Sequence, residues 1–239
     1  QRILGAAGYF YDPQTGRYVY PNIDEHYHLA LVQILTSLLM DQGAPASGLD
    51  HELVQHWVSL RSTILSRQER RGDELLGWRS GFSNLATLMN TETMSLNIMA
   101  LGAGAVAAFE AGQPPLSNEN PGDYVRTAEH VLAARPGSAQ PGYVTVGPAG
   151  SYAPGEYEIQ FFIRGGGADG AVARLEIANA ESAAVLTSRE ITTAELPAGA
   201  WRRVGMQLAL DAAQTPLELR AWWYGTATLE LAAIRIRQL

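Results

Sequence analysis

The sequence predicts an α+β chain in two parts, an N-terminal helical bundle followed by an antiparallel β-sandwich. Three observations carry this expectation. Up to Pro136-Gly137, apolar residues recur at helical spacing and turns are sparse. Beyond that point, short alternating runs are cut by Gly, Pro and Asp about every ten residues. The chain has 239 residues, 46% hydrophobic and 17% charged, enough for two ordinary domains and too apolar for intrinsic disorder. The expected organisation is an N-terminal arm over residues 1–21, a helical domain over 22–135 and a sandwich over 142–239. A Pro/Gly/Ser hinge from Arg135 to Pro141 joins the last two.

Gly8 to Tyr20 reads as an aromatic hairpin: Tyr9, Phe10 and Tyr11, a turn Asp12-Pro13-Gln14-Thr15-Gly16, then Tyr18, Val19 and Tyr20. A two-stranded ribbon is barely stable alone, so it is expected to dock on its own chain or a partner's. Asn22 opens a helix stopped by Gly43, with Ile23, Tyr27, Ala30, Leu31, Ile34, Leu35 and Leu38 on one stripe. Leu53, Trp57, Leu60 and Ile64 mark a second helix after Asp50. Its last turn is expected to carry Arg67, Arg70 and Arg71, at the negative end of the helix dipole.

A third helix is expected after Asp73, burying Leu75, Phe82, Leu85 and Met89, and a fourth from Asn90 or Thr91. No charge interrupts Thr93 to Phe109, a length at the lower limit for a bilayer span. Ser95, Asn97, Gly102 and Gly104 dilute its apolar character, so it reads as a central buried helix. Ala100, Gly104 and Ala108 form a small-residue row that admits close helix packing. A fifth helix starts at Asn120-Pro121, cap followed by proline, and runs toward Ala134.

In the second part Tyr157, Ile159, Phe161 and Ile163 alternate with Glu158, Gln160, Phe162 and Arg164. Further strands are expected over 172–177, 184–191, 202–210, 217–224 and 226–237, with Pro216 admissible only at a strand start or edge. The segments Gly-Ser-Tyr-Ala-Pro-Gly-Glu-Tyr-Glu-Ile (150–159), Val-Ala-Arg-Leu-Glu-Ile (172–177), Gly-Ala-Trp-Arg-Arg-Val (199–204), Leu-Glu-Leu-Arg-Ala (217–221) and Leu-Glu-Leu-Ala-Ala-Ile-Arg-Ile (229–236) carry a resemblance. Together they resemble the galactose-binding-like jelly rolls, a fold that includes many carbohydrate-binding modules. The resemblance implies a jelly-roll sandwich and the binding of a glycan; members of this fold also serve as spacers and docking modules. The N-terminal part resembles no family.

Composition excludes much chemistry. All 17 basic residues are arginine, and lysine and cysteine are absent, which removes Schiff bases, P-loop lysines, thiolate nucleophiles, disulfides and cysteine-bound metals. The net charge is −7, and the densest basic run, Arg67 to Arg71, is broken by Glu69, so no phosphate-binding stripe for nucleic acid exists. Glu25 and His28 have the Glu-x-x-His spacing of bundle di-iron sites, beside Asp24 and His26, but no second copy occurs. Glu52 and His56, with His51, could join His26 or His28 only if the two helices met at those ends. These groups are therefore read as helix-end and surface residues, with no metal and no cofactor. No Gly-x-Ser-x-Gly elbow occurs, and Glu156 and Glu158 share one strand face, a pattern of solvated carboxylates rather than a general acid and base.

Binding is the better-supported function. In 217–224, Leu217, Leu219, Ala221 and Trp223 are expected inward, leaving Glu218, Arg220, Trp222 and Tyr224 outward. A tryptophan flanked by arginine and tyrosine suits the apolar face and hydroxyls of a sugar. Phe162, Gln160 and Arg164 point outward on their own strand and extend the patch if both strands share a sheet. The alternative is that this face packs on the helical domain. Trp201 reads as a core lid.

The expected protein is therefore non-catalytic, secreted or envelope-exposed, binding a glycan or a protein partner or forming homo-oligomers, with membrane association not favoured. Two alternatives stand beside it, a purely structural subunit of a larger assembly without a glycan and an enzyme with its site in the helical half. Gln1 is not an initiator residue, consistent with processing, including a removed secretory signal, or with a fragment.

Overall fold

The structure, a computed structural model, describes the backbone of residues 10–12, 17–19, 25–42, 49–66, 68–71, 74–78, 107–110, 125–126, 131–167, 169–196, 199–211 and 216–239. Side chains are described for 32–41, 52–66 and the segments from 131 onward. The chain divides into two units between Gly104 and Ala105.

In the first unit, β1 (Phe10–Asp12) and β2 (Arg17–Val19) form the expected hairpin, with Phe10 opposite Val19 and Tyr11 opposite Tyr18. Helices α1 (Glu25–Gln42) and α2 (Leu49–Leu65) follow. The stripe expected to bury α1 is corrected: Val32, Gln33, Thr36, Ser37 and Met40 are buried, while Leu38 is 45% exposed. Trp57 of α2 is the cause. Its indole N–H donates to Ser37 Oγ at 2.9 Å, which brings the small polar face of α1 against it. Thr36 and Ser37 donate their hydroxyls to the carbonyls of Val32 and Gln33, so their burial leaves no orphan donor.

The expected third helix and the arginine-rich end of α2 are also corrected. Gln68–Arg71 is β3 and Glu74–Trp78 is β4, an antiparallel pair with Arg71 opposite Glu74. The two residues between them, Gly72-Asp73, are a two-residue hairpin signal that outweighs the weak helical spacing around Leu75. Phe82, Leu85, Met89 and residues 90–106 lie outside the described residues. The described part of this unit thus holds two helices and two strand pairs. Among the described residues no helix is long and apolar enough to cross a membrane.

The second unit is a sandwich of two antiparallel sheets. One has the order β11 (Val185–Thr192), β10 (Ala171–Asn179), β13 (Pro216–Trp223), β8 (Gly142–Ser151). The other has the order β12 (Arg202–Leu210), β9 (Gly155–Gly167), β14 (Ala227–Gln238), β7 (Leu132–Ala134), β6 (Val125–Arg126). A further strand, β5 (Ala107–Glu110), pairs β14 through Ala233–Ile236. From β8 onward every connection except the β10–β11 hairpin changes sheet, the crossover pattern of a jelly roll.

This moves the boundary expected at residues 135–141. Phe109, placed by the sequence in a buried helix, and Leu132 to Ala134, placed in a fifth helix, are strands of the larger sheet. A short continuous apolar run suits a doubly covered strand as well as a buried helix, and periodicity cannot separate the two. Leu132, Ala133 and Ala134 are all buried.

Between the sheets lie Tyr157, Ile159, Phe161 and Ile163 of β9, Leu217, Leu219, Ala221 and Trp223 of β13, and the inward residues of β10 and β14. In β14 the inward residues are Leu229 and Leu231, then Ile234 and Ile236, a change of parity. A β-bulge between Leu231 and Ala233 inserts Ala232 and lets both halves face the core. Gly225 turns β13 into β14 with φ 80°, and a Cβ there would lie 2.9 Å from Pro141 Cγ.

Candidate functional site

Strand β13 is interior to the four-stranded sheet, and its burial alternates without a break from Pro216 to Trp223. The odd positions fill the core, so Glu218, Arg220 and Trp222 stand on the outer face, each half-buried, and Tyr224 follows at the strand end. Register decides their neighbours. Trp222 lies opposite Arg174 of β10 and Tyr143 of β8, and Arg220 lies opposite Glu176 and Val146. Two residues separate Tyr143 from Val146 where one separates their partners, and the resulting bulge keeps Tyr143 outward while Val144 enters the core.

Side chains tie these strands together across the sheet. Tyr143 packs edge-on to Trp222 with ring centres 4.9 Å apart and planes at 87°. The Tyr143 hydroxyl donates to Glu176 Oε2 at 2.9 Å, and Arg174 Nε pairs with Glu176 Oε1 at 2.6 Å. The Glu176 side chain is only 3% exposed, so a carboxylate on the outer face of the sheet is closed over by its two partners. Arg220 pairs with Glu218 through its guanidinium, which also lies 5.9 Å from the Tyr143 ring centre. Tyr224 donates its hydroxyl to Glu190 Oε2 at 3.3 Å.

The electrostatics follow. Burial pulls the Arg174 guanidinium pKa down, but the Glu176 charge and hydrogen bonds more than offset it, so the value is raised. Arg220 is raised in the same way, burial being outweighed by Glu218. Both arginines therefore stay charged at every accessible pH. The Tyr143 phenol is raised by burial, then by its hydrogen bond to Glu176 and the Glu176 charge. A raised folded-state value means that the Tyr143 contribution to stability is complete below the unfolded value of 10.0 and is lost as pH rises through the folded one. The melting-temperature difference between the wild type and Tyr143→Phe should therefore be constant from neutral pH to about 10 and shrink above it. A difference that widened above that pH would contradict this assignment.

Phe162, Gln160 and Arg164 do not join this face. They belong to β9 of the other sheet, so their side chains point out of the opposite side of the sandwich, and the shared patch is corrected on that ground. Phe162 and Gln160 have no exposed surface. Gln160 Nε2 donates to Glu158 Oε2 at 2.7 Å, and its Oε1 accepts from Arg235 at 3.3 Å. Arg237 donates to the same Glu158 oxygen at 3.0 Å. Arg164 lies 4.6 Å over the ring of Trp201, which is buried, and pairs with Glu230. These residues form a polar ladder across β9 and β14.

Sequence reasoning missed Tyr143, Arg174 and Glu176. The Arg-x-Glu alternation in Val172–Ile177 was a readable signal for the last two. Strand β8 was hidden by Gly142, Gly147, Pro148 and Gly150, residues that depress strand propensity. The side chains of Glu25, His26, His28 and His51 lie outside the described residues. Glu52 is exposed, and His56 is half-buried with its pKa lowered chiefly by burial. Among the described residues no group of three or more His, Asp and Glu could hold a metal ion.

The C-terminal part resembles, in its fold, the structures of carbohydrate-binding modules. It is similar to the C-terminal CBM6 of LamC from Zobellia galactanivorans, at 13% identity over 55% of this chain and 98% of that one, with a TM-score of 0.35. It is similar to a CBM6 from Cellvibrio mixtus lichenase 5A in complex with cellotriose, at 18% identity over 56% and 98%, TM-score 0.31. A family 35 carbohydrate-binding module from Clostridium thermocellum matches at 13% identity over 56% and 98%, TM-score 0.36. At these identities the likeness concerns the fold. No protein-family model and no curated protein matches the sequence.

Proposed function

We propose that the chain is a carbohydrate-binding protein whose glycan lies on the outer face of the four-stranded sheet, against Trp222. The observation that carries the reading is the composition of that face. A half-buried indole, held edge-on by Tyr143, stands beside Arg174 of one Arg–Glu pair and two positions from Arg220 of the other, on a sheet whose other face is packed in the core. Sugar rings present an apolar C–H face and a rim of hydroxyls, and they need an aromatic surface beside fixed donors and acceptors. Trp222, Arg220 and Tyr224 are the binding residues of this reading, with Tyr143 and Glu176 positioning them. Phe162, Gln160 and Arg164 are left out because they lie on the opposite side of the sandwich. The reading includes a non-catalytic role at a secreted or envelope-exposed location. Neither is needed for the binding test.

Isothermal titration of the full chain with oligosaccharides of increasing length is that test. A single site with a Kd of about 1 mM is worth only about −4 kcal/mol, so the titration must carry ligand well above that concentration. Saturable heat with a stoichiometry near one is expected. Absence of heat across neutral and acidic oligosaccharides would refute the proposal.

A further inference from the structure

We infer that the glycan this face takes is uncharged, and that acidic polysaccharides such as polyuronates are excluded from it. The inference rests on the carbohydrate reading above and adds the substrate class. Its source is the way the two arginines described on this face are already matched. Arg174 is paired with Glu176 and Arg220 with Glu218, both within the face, and Glu190 adds a further carboxylate beside Tyr224. Among the described residues of this face, two guanidinium groups thus stand among three carboxylates.

A uronate carboxylate arriving here would have to displace a carboxylate from its arginine or settle among like charges. Exchanging one carboxylate for another at a guanidinium has no net advantage, and displacing the almost wholly buried Glu176 would also break its hydrogen bond from Tyr143. A hydroxyl meets no such conflict. The Arg220–Glu218 pair presents N–H donors and carboxylate lone pairs side by side, Arg174 adds guanidinium donors beside the closed-over Glu176, and a hydroxyl both donates and accepts. The pairing that neutralises the arginines toward anions therefore leaves them suited to neutral diols.

Affinity electrophoresis of the full chain tests this, in native gels containing hydroxyethylcellulose, xylan or glucomannan against gels containing polygalacturonate or alginate, each at low and high salt. The expected result is retardation by at least one neutral polymer, little changed by salt, and none by the polyuronates. Salt-sensitive retardation by a polyuronate equal to or greater than that by every neutral polymer would overturn the inference while leaving the carbohydrate reading intact. Retardation by no polymer would overturn both. Glu218→Gln supplies the second arm, because it frees the Arg220 charge. It should gain at least about tenfold in polyuronate affinity, lost again at high salt. A folded Glu218→Gln protein without that gain would overturn the premise that Glu218 neutralises Arg220.

Discussion

Truncating Trp223 to alanine should lower the melting temperature of the sandwich by roughly 10–20 °C, corresponding to a loss of about 3–5 kcal/mol. Trp223 has no exposed surface, belongs to the core between the sheets and donates its indole N–H to the carbonyl of Ala227 at 2.7 Å. Three losses combine in the substitution. The largest apolar group of β13 leaves the core, a cavity remains because β10 and β8 hold the backbone on either side, and the Ala227 carbonyl loses its indole donor. Thermal unfolding followed by circular dichroism at neutral pH measures the effect. A shift of only a few degrees would mean that the sheets close over the gap.

The neighbouring substitution, Trp222→Ala, should have the opposite profile. Its melting temperature should fall by only a few degrees, because the edge-on contact with Tyr143 is worth about 0.5–1.5 kcal/mol and the side chain is half-buried. Its affinity for the glycan that binds the wild type should fall at least about 30-fold, the effect of removing a central aromatic anchor worth about 2 kcal/mol. Parallel titrations of wild type and variant decide it. Unaltered affinity would remove Trp222 from the site, and a melting-temperature loss as large as that of Trp223→Ala would make it a packing residue. These two expected results together would separate stability from binding within one strand.

The contrast shows what could be read from residues alone. Alternation along 217–224 sorts side chains to two faces because a strand has a period of two, and the observed burial follows that order through Trp223. The same rule correctly divided Tyr157, Ile159, Phe161 and Ile163 from Glu158, Gln160, Phe162 and Arg164. It could not say which outward faces were the same face, because sheet membership depends on pairings between strands far apart in sequence. Strand β13 joined β8 and β10, β9 joined β12 and β14, and the proposed patch was divided. Tyr143 and Glu176 could be placed beside Trp222 only by register, and in β8 that register includes a bulge.

The N-terminal part was read less well, for related reasons. Short apolar runs without a decisive period, such as Leu132 to Ala134, satisfy a helix and a strand equally until a partner is known, and here β14 supplied it. The buried face of α1 was decided by Trp57 seeking an acceptor on Ser37, a contact across 20 positions that no helical wheel contains. By itself the sequence determined the local periodicities, the inward and outward sides of the long strands, and the absence of lysine and cysteine chemistry. Tertiary structure alone decided which sides coincide, where the sandwich begins and which charges neutralise each other. Those properties arise from contacts between residues distant in the chain, and local spacing carries no information about them.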